Sequence, residues 1–494
     1  MSQSLLKATG VHKSFAGVHA LKGVDLDIRK GEIHCLAGEN GCGKSTLIKI
    51  ISGVYQPDAG TIEFDGKALA RITPIDAIML GIQVIYQDFS VFSNLTVMEN
   101  LALNSELAQK RRLVNWKRMR EIAREAVAKI NFEVDLDAPV SSLSVAQKQM
   151  VAICRALMFN ARLIIMDEPT TALTRKEVQA LFDIILKLKA QGISILFVSH
   201  KLNEVFEISE RFTIFRNGEL VKTGETRELD SNKFTYYMTG REFAPQQFVP
   251  EQVSEEPLLE VRNLTAKGFF EDVSFALHAG EIVGVTGLLD SGRSELALAL
   301  FGVRPADSGE IRLKSRKTDI RRPRDAVRGK LGLVPEDRLS EGLFLPRSIE
   351  DNLVIAEVDR LAGPLSVIDR TKRRDEIRRL VDEFKIATPD PKNACQTLSG
   401  GNQQRVVLGK WLACNLDVLV LSGPTVGVDI GSKHDIHEIL QNLARGGMGI
   451  LIISDDLPEI LENCSRVLVL KSGRIRKEMD TRDADERLIL SHMM

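Results

Sequence analysis

The stretch GENGCGKST, residues 38–46, has residue types at a spacing suited to binding phosphate. It fits the pattern G-x-x-x-x-G-K-[ST], follows the strand-like run EIHCLA and precedes the helix-like run TLIKIISG. Gly38, Gly41 and Gly43 allow backbone N–H groups to curl around phosphate oxygens, and the following helix adds its N-terminal dipole. The sequence therefore predicts a phosphate-binding loop; the alternative is an ordinary glycine turn before a helix.

Two side chains of this loop are suited to nucleotide chemistry. Lys44 is predicted to reach the β- and γ-phosphates, and the Ser45 hydroxyl is predicted to bind Mg²⁺. Cys42 is interpreted as a small filler residue. The predicted nucleotide-binding set also includes the other loop residues, Glu39, Asn40 and Thr46.

A second candidate element is DEP, which ends the apolar run ARLIIMD. Asp167 closes a predicted buried strand, where a carboxylate is costly unless it is paired or lies near a metal ion. It is predicted to organise Mg²⁺, and Glu168 is predicted to polarise the attacking water as a general base. The alternative is that Asp-Glu-Pro simply ends a strand and begins a turn.

Short β-branched runs alternate with amphipathic stretches, which indicates an α/β fold. The continuous apolar runs ARLIIMD, LDVLVLS, GISILFVSH and GMGILIISD are typical of strands buried on both faces of a parallel sheet. EVQALFDIILKLKAQG has apolar residues at intervals of three and four and ends at Gly192. That pattern predicts a helix with a C-terminal glycine.

The same pattern occurs twice in the chain. Three pairs of segments align: 29–53 with 278–302, 143–157 with 398–412, and 195–205 with 451–460. Between the copies, residues 241–257 are polar, contain three prolines and lack apolar periodicity, as a linker does. We therefore predict two domains, 1–243 and 258–494, joined by a linker over 244–257.

The composition of the 494-residue chain is that of a soluble globular protein, with 44% hydrophobic and 27% charged residues. Its net charge of −1 gives no bulk electrostatic argument for a nucleic-acid partner. Six scattered cysteines indicate reduced thiols in a cytosol. The N-terminus lacks the apolar core of a secretory signal, and no apolar run is long enough to span a membrane. We therefore expect any work at a membrane to proceed through partners.

LSGGNQQ, residues 398–404, is the most specific motif in the chain. Together with the phosphate loop, DEPT and the Ser-His pair at 199–200, it resembles the nucleotide-binding subunits of ABC transporters over essentially the whole chain. The pairing of LSVAQ with LSGGNQQ, and of a lysine loop with an arginine loop, is similar to the simple-sugar importers of bacteria. The resemblance implies two tandem P-loop ATPase domains, each with a mostly parallel sheet core and a helical signature subdomain.

The resemblance also implies how the motifs combine. In that family the domains pack head to tail, and each ATP lies between the phosphate loop of one domain and the signature helix of the other. One site would then join these residues: Lys44, Ser45, Gln87, Asp167, Glu168, His200, Ser399, Gly400 and Gly401. Gln87 would sense Mg²⁺ and the attacking water, and His200 would contact the γ-phosphate. Phe15 is expected to stack on adenine, with a core position as the alternative.

The other site departs from the first in its phosphate-binding parts. Its loop would contain Gly287, Gly292, Arg293 and Ser294, so that an arginine with different fork geometry replaces the lysine. Its signature has Val145 and Ala146 where the other has two glycines, which hinders close approach of the backbone.

Its acidic residues differ as well. Ser422 and Gly423 stand where the first half has Asp167 and Glu168, although members of the family usually keep both acids. Gln87 and His200 correspond to Glu336 and Asp455. A positioned general base is worth about 10²–10⁴ in rate, so the first site is expected to dominate hydrolysis.

Two classes of function follow from the resemblance. In the first, the chain is an importer ATPase that uses ATP and Mg²⁺ at the cytoplasmic face of the inner membrane, with two integral membrane permease subunits and an extracytoplasmic solute-binding protein. The cargo would be a simple sugar or a related polyol. The alternative is a soluble tandem ATPase acting on ribosomes or nucleic acid. The short, non-basic linker, the lack of inserted cysteine modules and the near-neutral charge favour the importer, so we expect no nucleic-acid partner.

Overall fold

The computed structural model describes residues 3–15, 17–86, 91–108, 114–170, 173, 175–242, 247–251, 253–288, 290–362 and 367–494, without the side chains of 104–108 and 175. The chain divides into two compact units, Met1–Phe243 and Ala244–Met494. The segment predicted as a linker contributes Phe248 to the core of the second unit. The Phe248 backbone N–H donates to the carbonyl oxygen of Glu462 at 2.8 Å.

The first unit contains both strands and helices. Its strands are β1 (Ser4–Phe15), β2 (Val18–Arg29), β3 (Ile33–Gly38), β4 (Ala59–Phe64), β5 (Lys67–Ala68), β6 (Ile82–Ile85), β7 (Leu163–Asp167), β8 (Ser194–Val198), β9 (Arg211–Arg216) and β10 (Glu219–Glu225). Its α-helices are α1 (Lys44–Ile51), α2 (Pro74–Leu80), α3 (Val97–Ala108), α4 (Trp116–Ala128), α5 (Val145–Leu157), α6 (Arg175–Ala190), α7 (Leu202–Ile208) and α8 (Ser231–Thr239).

The second unit repeats this order of elements, with one additional short helix, Val358–Leu361. Its strands are β11 (Pro257–Ala266), β12 (Phe270–His278), β13 (Ile282–Gly287), β14 (Ser308–Leu313), β15 (Arg316–Lys317), β16 (Leu331–Val334), β17 (Val418–Ser422), β18 (Gly449–Ile453), β19 (Arg466–Lys471) and β20 (Arg474–Asp480). Its α-helices are α9 (Arg293–Phe301), α10 (Pro323–Arg328), α11 (Ile349–Val354), α12 (Val358–Leu361), α13 (Arg370–Glu383), α14 (Gly400–Leu412), α15 (Ile430–Arg445), α16 (Leu457–Asn463) and α17 (Glu486–Met493).

Each unit is built on a sheet that is parallel except for one edge strand. The order is β10-β9-β3-β8-β7-β6 in the first unit and β16-β17-β18-β13-β19-β20 in the second. Only the pairs β9–β10 and β19–β20 are antiparallel within these sheets. The four apolar runs predicted as strands form β7, β17, β8 and β18, buried as expected for strands covered on both faces. Because parallel strands end at one edge, their carboxyl ends form the crevice where ligands bind in such sheets.

Two further layers cover each parallel sheet. An antiparallel sheet, β2-β1-β4-β5 or β12-β11-β14-β15, packs in one apolar cluster with the helix that follows the phosphate loop. On the other side, residues of α3, α4 and α5 share a cluster in the first unit, and residues of α11, α13 and α14 do so in the second. These helical groups contain the two signature motifs. The predicted fold class, a mostly parallel core with a helical subdomain in each domain, is therefore confirmed.

None of the helices in the described part of the chain combines the length and apolar character needed to cross a bilayer.

Candidate active site

The first phosphate loop joins β3 to α1, and its glycines are required by its path. Gly41 and Gly43 have φ values of 81° and 104°, in the left-handed region. A Cβ at Gly43 would lie 2.5 Å from the carbonyl oxygen of Ala20, and a Cβ at Gly38 would lie 2.4 Å from Cys42 Sγ. The loop can follow this path only with glycine at these positions, which leaves its backbone accessible for phosphate.

Lys44 lies across this loop, at the start of α1. Its side chain is buried, and Nζ donates to the carbonyl oxygens of Gly38 at 2.6 Å and of Glu39 at 3.0 Å. Burial raises the pKa of the neighbouring Cys42 thiol, with the Lys44 charge acting in the opposite direction. The thiol is therefore protonated at neutral pH, so Cys42 fills space beside the loop.

The two carboxylates lie at the end of β7, next to the phosphate loop; Asp167 is the last residue of the strand and Glu168 follows it. Ser45 Oγ donates to Asp167 Oδ2 at 3.4 Å, which joins the first turn of α1 to the strand end. Burial, followed by the charge of Glu168, raises the pKa of Asp167 above its usual value, while Lys44 acts in the opposite direction. The ionised form of Asp167 is thus disfavoured at this strand end.

Glu168 is held in a specific geometry. Its φ of 46° is unusual for a residue other than glycine, and its backbone N–H donates to Val198 O at 3.1 Å. Its Oε1 lies 3.2 Å from His200 Nδ1. Burial alone would raise the pKa of Glu168, but the hydrogen bond and charge of His200, with the charge of Lys44, lower it overall. Glu168 is therefore ionised at neutral pH and can accept a proton.

A buried carboxylate behind these groups was missed by sequence reasoning. Glu204 in α7 accepts from Thr170 Oγ1 at 2.5 Å and from Ser199 Oγ at 2.6 Å. It thereby connects the segment after Glu168 to the segment before His200. The segment LNEVFEI contains two acids, and no local pattern predicts that Glu204 is the buried one.

Phe15 is the last residue of β1 and is 38% exposed, so the structure places it outside the core. Its ring meets that of Tyr55 edge-on, with centroids 5.2 Å apart. The second unit has a similar exposed ring, Phe269, with the guanidinium of Arg304 4.4 Å from its centroid. Sequence reasoning named neither Tyr55 nor Phe269.

The second phosphate loop, between β13 and α9, has the same shape with different chemistry. Gly292 has a φ of 87°, and a Cβ at Gly287 would lie 2.4 Å from Ser291 Oγ. Arg293 begins α9, where its buried guanidinium lies 3.4 Å from Asp455 Oδ2. Ser294 follows it in the first turn and is half-buried. The cation of this loop is therefore paired with the residue that corresponds to His200.

The end of β17 keeps the backbone geometry of β7 without the acids. Ser422 is the last residue of the strand, and Gly423 has a φ of 53°. The Gly423 N–H donates to Ile453 O at 2.8 Å, just as Glu168 donates to Val198. The acids have been lost without a change in the path of the chain.

The second signature motif begins α14, with Ser399 at the N-cap. One of its glycines, Gly401, is required inside its own unit. A Cβ at Gly401 would lie 2.1 Å from Ser432 Oγ, and a Cβ at Gly400 would lie 2.8 Å from a guanidinium nitrogen of Arg338. Sequence reasoning had attributed these glycines only to close approach to phosphate.

The predicted site residues thus fall into two groups. The first unit brings together Lys44, Ser45, Asp167, Glu168 and His200. Ser399, Gly400 and Gly401 belong to the second unit. Gln87 lies outside the described residues.

Comparison with known proteins identifies the family. The model of the family described as ABC transporter matches residues 21–171 and 270–426. The chain is 42% identical to the ribose import ATP-binding protein RbsA 1 of Rubrobacter xylanophilus, over 98% of this chain and 97% of that protein. It is 39% identical to RbsA of Bacillus subtilis, over 97% of each chain, and 38% identical to the galactose/methyl galactoside import ATP-binding protein MglA 1 of Photobacterium profundum, over 99% of each. The chain therefore belongs to the ABC transporter family, as an ATP-hydrolysing member with two cassettes in tandem.

Proposed function

We propose that this protein is the ATPase subunit of an importer for a simple sugar or a related polyol. It would act at the cytoplasmic face of the inner membrane, with two integral membrane permease subunits and an extracytoplasmic solute-binding protein. The observation that supports this proposal most directly is the group formed by Lys44, Ser45, Asp167, Glu168 and His200, called here the first pocket. The names of the relatives, which are ribose and galactose import ATP-binding proteins, support the choice of cargo.

Magnesium fits the first pocket. Ser45 Oγ and Asp167 supply hard oxygen donors, and the raised pKa of Asp167 marks a carboxylate that a nearby cation would stabilise. The described residues contain no group of three or more His, Cys, Asp and Glu side chains arranged to hold a metal. That suits Mg²⁺, which binds through one or two protein side chains together with the phosphates of a nucleotide and water. When bound, it would neutralise charge on the phosphates; Gln87 is the further ligand that we propose.

Glu168 is the proposed general base. Its ionised carboxylate would accept a proton from the water that attacks the γ-phosphate, while the contact with His200 Nδ1 fixes its orientation. The other ring nitrogen of His200 would then be available to the γ-phosphate. Lys44 would bind the β- and γ-phosphates as they gain charge in the transition state.

The remaining contacts to this nucleotide would come from two further elements. Phe15, supported by Tyr55, would stack on the adenine ring. Ser399, Gly400 and Gly401 would approach the γ-phosphate from the second domain. We propose domains over 1–243 and 258–494, joined by 244–257, which ATP would bring together and hydrolysis would release, so that the permease moves with them.

Transport by the reconstituted complex tests this proposal. The permease and the chain would be placed in proteoliposomes, with the binding protein outside and ATP inside, and uptake of labelled ribose, galactose and xylose would be measured. We expect ATP-dependent uptake of one of these sugars, and its loss in the Lys44→Ala variant. The opposite outcome is no uptake together with cosedimentation on ribosomes and ribosome-stimulated hydrolysis, which would support the soluble alternative.

A further inference from the structure

Arg338 contacts the signature motif of the second unit although it belongs to a different loop. It lies after β16, where it begins a short helical turn, Arg338–Gly342. The carboxylate of Asp337 accepts from the backbone N–H groups of Leu339 at 2.9 Å and Ser340 at 3.3 Å, and from Ser340 Oγ at 2.6 Å. The backbone that carries Arg338 is therefore fixed where this turn begins.

The guanidinium of Arg338 bonds to the loop that follows β17. Nη1 donates to the carbonyl oxygen of Val426 at 2.5 Å, and Nη2 donates to that of Gly427 at 2.9 Å. Gly427 has a φ of 66°, in the left-handed region that favours glycine. Because the guanidinium is planar and holds two successive carbonyl groups, it fixes the orientation of this stretch as well as its position.

The same guanidinium lies against the first turn of the signature helix, α14. An ideal Cβ at Gly400 would lie 2.8 Å from Arg338 Nη2 and 3.0 Å from the carbonyl oxygen of Gly427. Gly400 therefore lies beside both partners of one of these hydrogen bonds. The next residue, Gly401, packs on Ser432 in α15, the helix that follows the loop after β17. The signature glycines are thus in contact with this loop and its helix, and Arg338 joins the loop to them.

The aligned positions of the first unit have other residues. Arg338, Gly400 and Gly427 correspond to Phe89, Val145 and Ala172. The comparison is one of sequence, because Phe89 and Ala172 lie outside the described residues. A phenylalanine side chain has no N–H or O–H group to donate, so it cannot form the two bonds that Arg338 forms. The contact is therefore specific to the signature motif that the first pocket would use.

We propose that Arg338 is a positioning residue for hydrolysis in the first pocket. It would hold the loop after β17 against α14, so that Ser399, Gly400 and Gly401 approach the γ-phosphate in one geometry. This inference rests on the proposed function, in which that signature motif completes the first pocket. Arg338 would act through the group that faces the transferring phosphate, whereas the phosphate loop binds the nucleotide. Its loss should therefore lower kcat more than it weakens nucleotide binding.

Hydrolysis of Mg²⁺-ATP by the full chain, reconstituted with its membrane partner, tests the proposal. Arg338→Ala should lower kcat about 10–100-fold and change KM less than about threefold, because a misplaced signature motif slows the chemical step. The Kd for Mg²⁺-ADP should stay unchanged, since ADP lacks the phosphate that the signature would contact. Arg338→Lys keeps the charge without the two-pronged geometry, so its kcat should recover in part and remain below that of the wild type.

Arg378→Ala is the matched control, because Arg378 is an exposed arginine of α13 in the same unit. It should leave kcat, KM and the Kd for Mg²⁺-ADP unchanged.

Three results would overturn the proposal. An unchanged kcat in Arg338→Ala would show that this contact does not position the signature motif. A loss of Mg²⁺-ADP affinity as large as the loss of kcat would indicate a general defect of the chain. If Arg338→Ala does not fold, Arg338→Lys provides the test, and a wild-type kcat in that variant would contradict the inference. The proposed function fails separately, if the wild-type complex neither hydrolyses ATP nor takes up sugar.

Discussion

The strand that ends at Asp167 and the strand that ends at Ser422 follow the same path and present different side chains. Each is followed by a residue in the left-handed region, Glu168 at φ 46° and Gly423 at φ 53°, whose N–H bonds to the neighbouring strand. The turn itself is therefore compatible with glycine, and glutamate adopts it at a conformational cost of about 1 kcal/mol or more. The comparison teaches that the acids are dispensable for the fold at this position, which supports the proposal that they serve chemistry in the first unit.

The network behind the strand ends shows the opposite behaviour, because both units keep it. Glu204 accepts from Thr170 in the first unit, and Glu459 accepts from Thr425 Oγ1 at 2.6 Å in the second. In the second unit Glu459 also contacts His437 Nε2 at 3.1 Å. A buried carboxylate that satisfies the turn after the strand is needed for structure in both copies, whether or not the adjacent acids remain.

The largest expected difference between the units concerns the cations of the two phosphate loops. Lys44→Ala should reduce steady-state ATP hydrolysis about 10²–10³-fold, because a preorganised cation at the transferring phosphate is lost. Arg293→Ala should leave most of the hydrolysis, because its pocket lacks a general base. Rates at saturating ATP would be compared after circular dichroism confirms that both variants are folded. An equal loss of ATP hydrolysis in the two variants would show that the two phosphate loops contribute equally to hydrolysis.

A smaller difference between the units, in the free energy of unfolding, is expected at the signature motifs. Gly401→Ala should destabilise the protein by about 1–3 kcal/mol, because its Cβ would overlap Ser432. Ala146→Gly at the equivalent position of the first unit should cost no more than about 1 kcal/mol, the helix-propensity difference. Urea denaturation would measure both. Ser432→Gly should recover part of the loss in Gly401→Ala, and no recovery would exclude this contact as the cause.

The last expected difference lies in the acid range of pH, where the buried network of the second unit loses its contribution to stability. Burial disfavours ionised Glu459, but the hydrogen bond and charge of His437, with Lys433 and Thr425, outweigh it and lower its pKa from 4.5 to about 2. The unfolded chain therefore binds the proton first as the pH falls, and stability is lost between about pH 4.5 and pH 2 and is constant above that range. Thermal melts of the wild type and Glu459→Gln across this range would detect it, and parallel curves would contradict it.

The sequence predicted most of what depends on local pattern. The phosphate loop, the strand ends at Asp167 and Ser422 and the helix before Gly192 follow from glycine placement and apolar periodicity, and the structure confirms them. The repeat allowed the aligned segments of the second unit to be inferred from the first. Local propensity, burial pattern and turn chemistry agree at these positions, which is why they could be predicted.

The contacts that were missed join elements far apart in the chain. The approach of Glu336 to Gly423, the packing of Gly401 on Ser432 and the bonds from Thr170 and Ser199 to Glu204 depend on which side chains the sheet brings together. Periodicity assigns a residue to a face of an element and says nothing about the partner opposite. The sequence therefore identified which positions had lost their acids and which had gained them, but the approach of Glu336 to Gly423 became apparent only in three dimensions.

Hydrolysis of Mg²⁺-ATP by the wild type and by Glu168→Gln, each with the membrane partner present, tests the central claim most directly. Glu207→Gln, an exposed acid of the same unit, is the matched control. We predict that kcat falls about 10²–10⁴-fold in Glu168→Gln and stays unchanged in Glu207→Gln, because Glu168 is the proposed base. If Glu168→Gln keeps most of the wild-type rate, the pocket with Ser422 and Gly423 hydrolyses ATP, and the assignment of chemistry to the first unit is wrong.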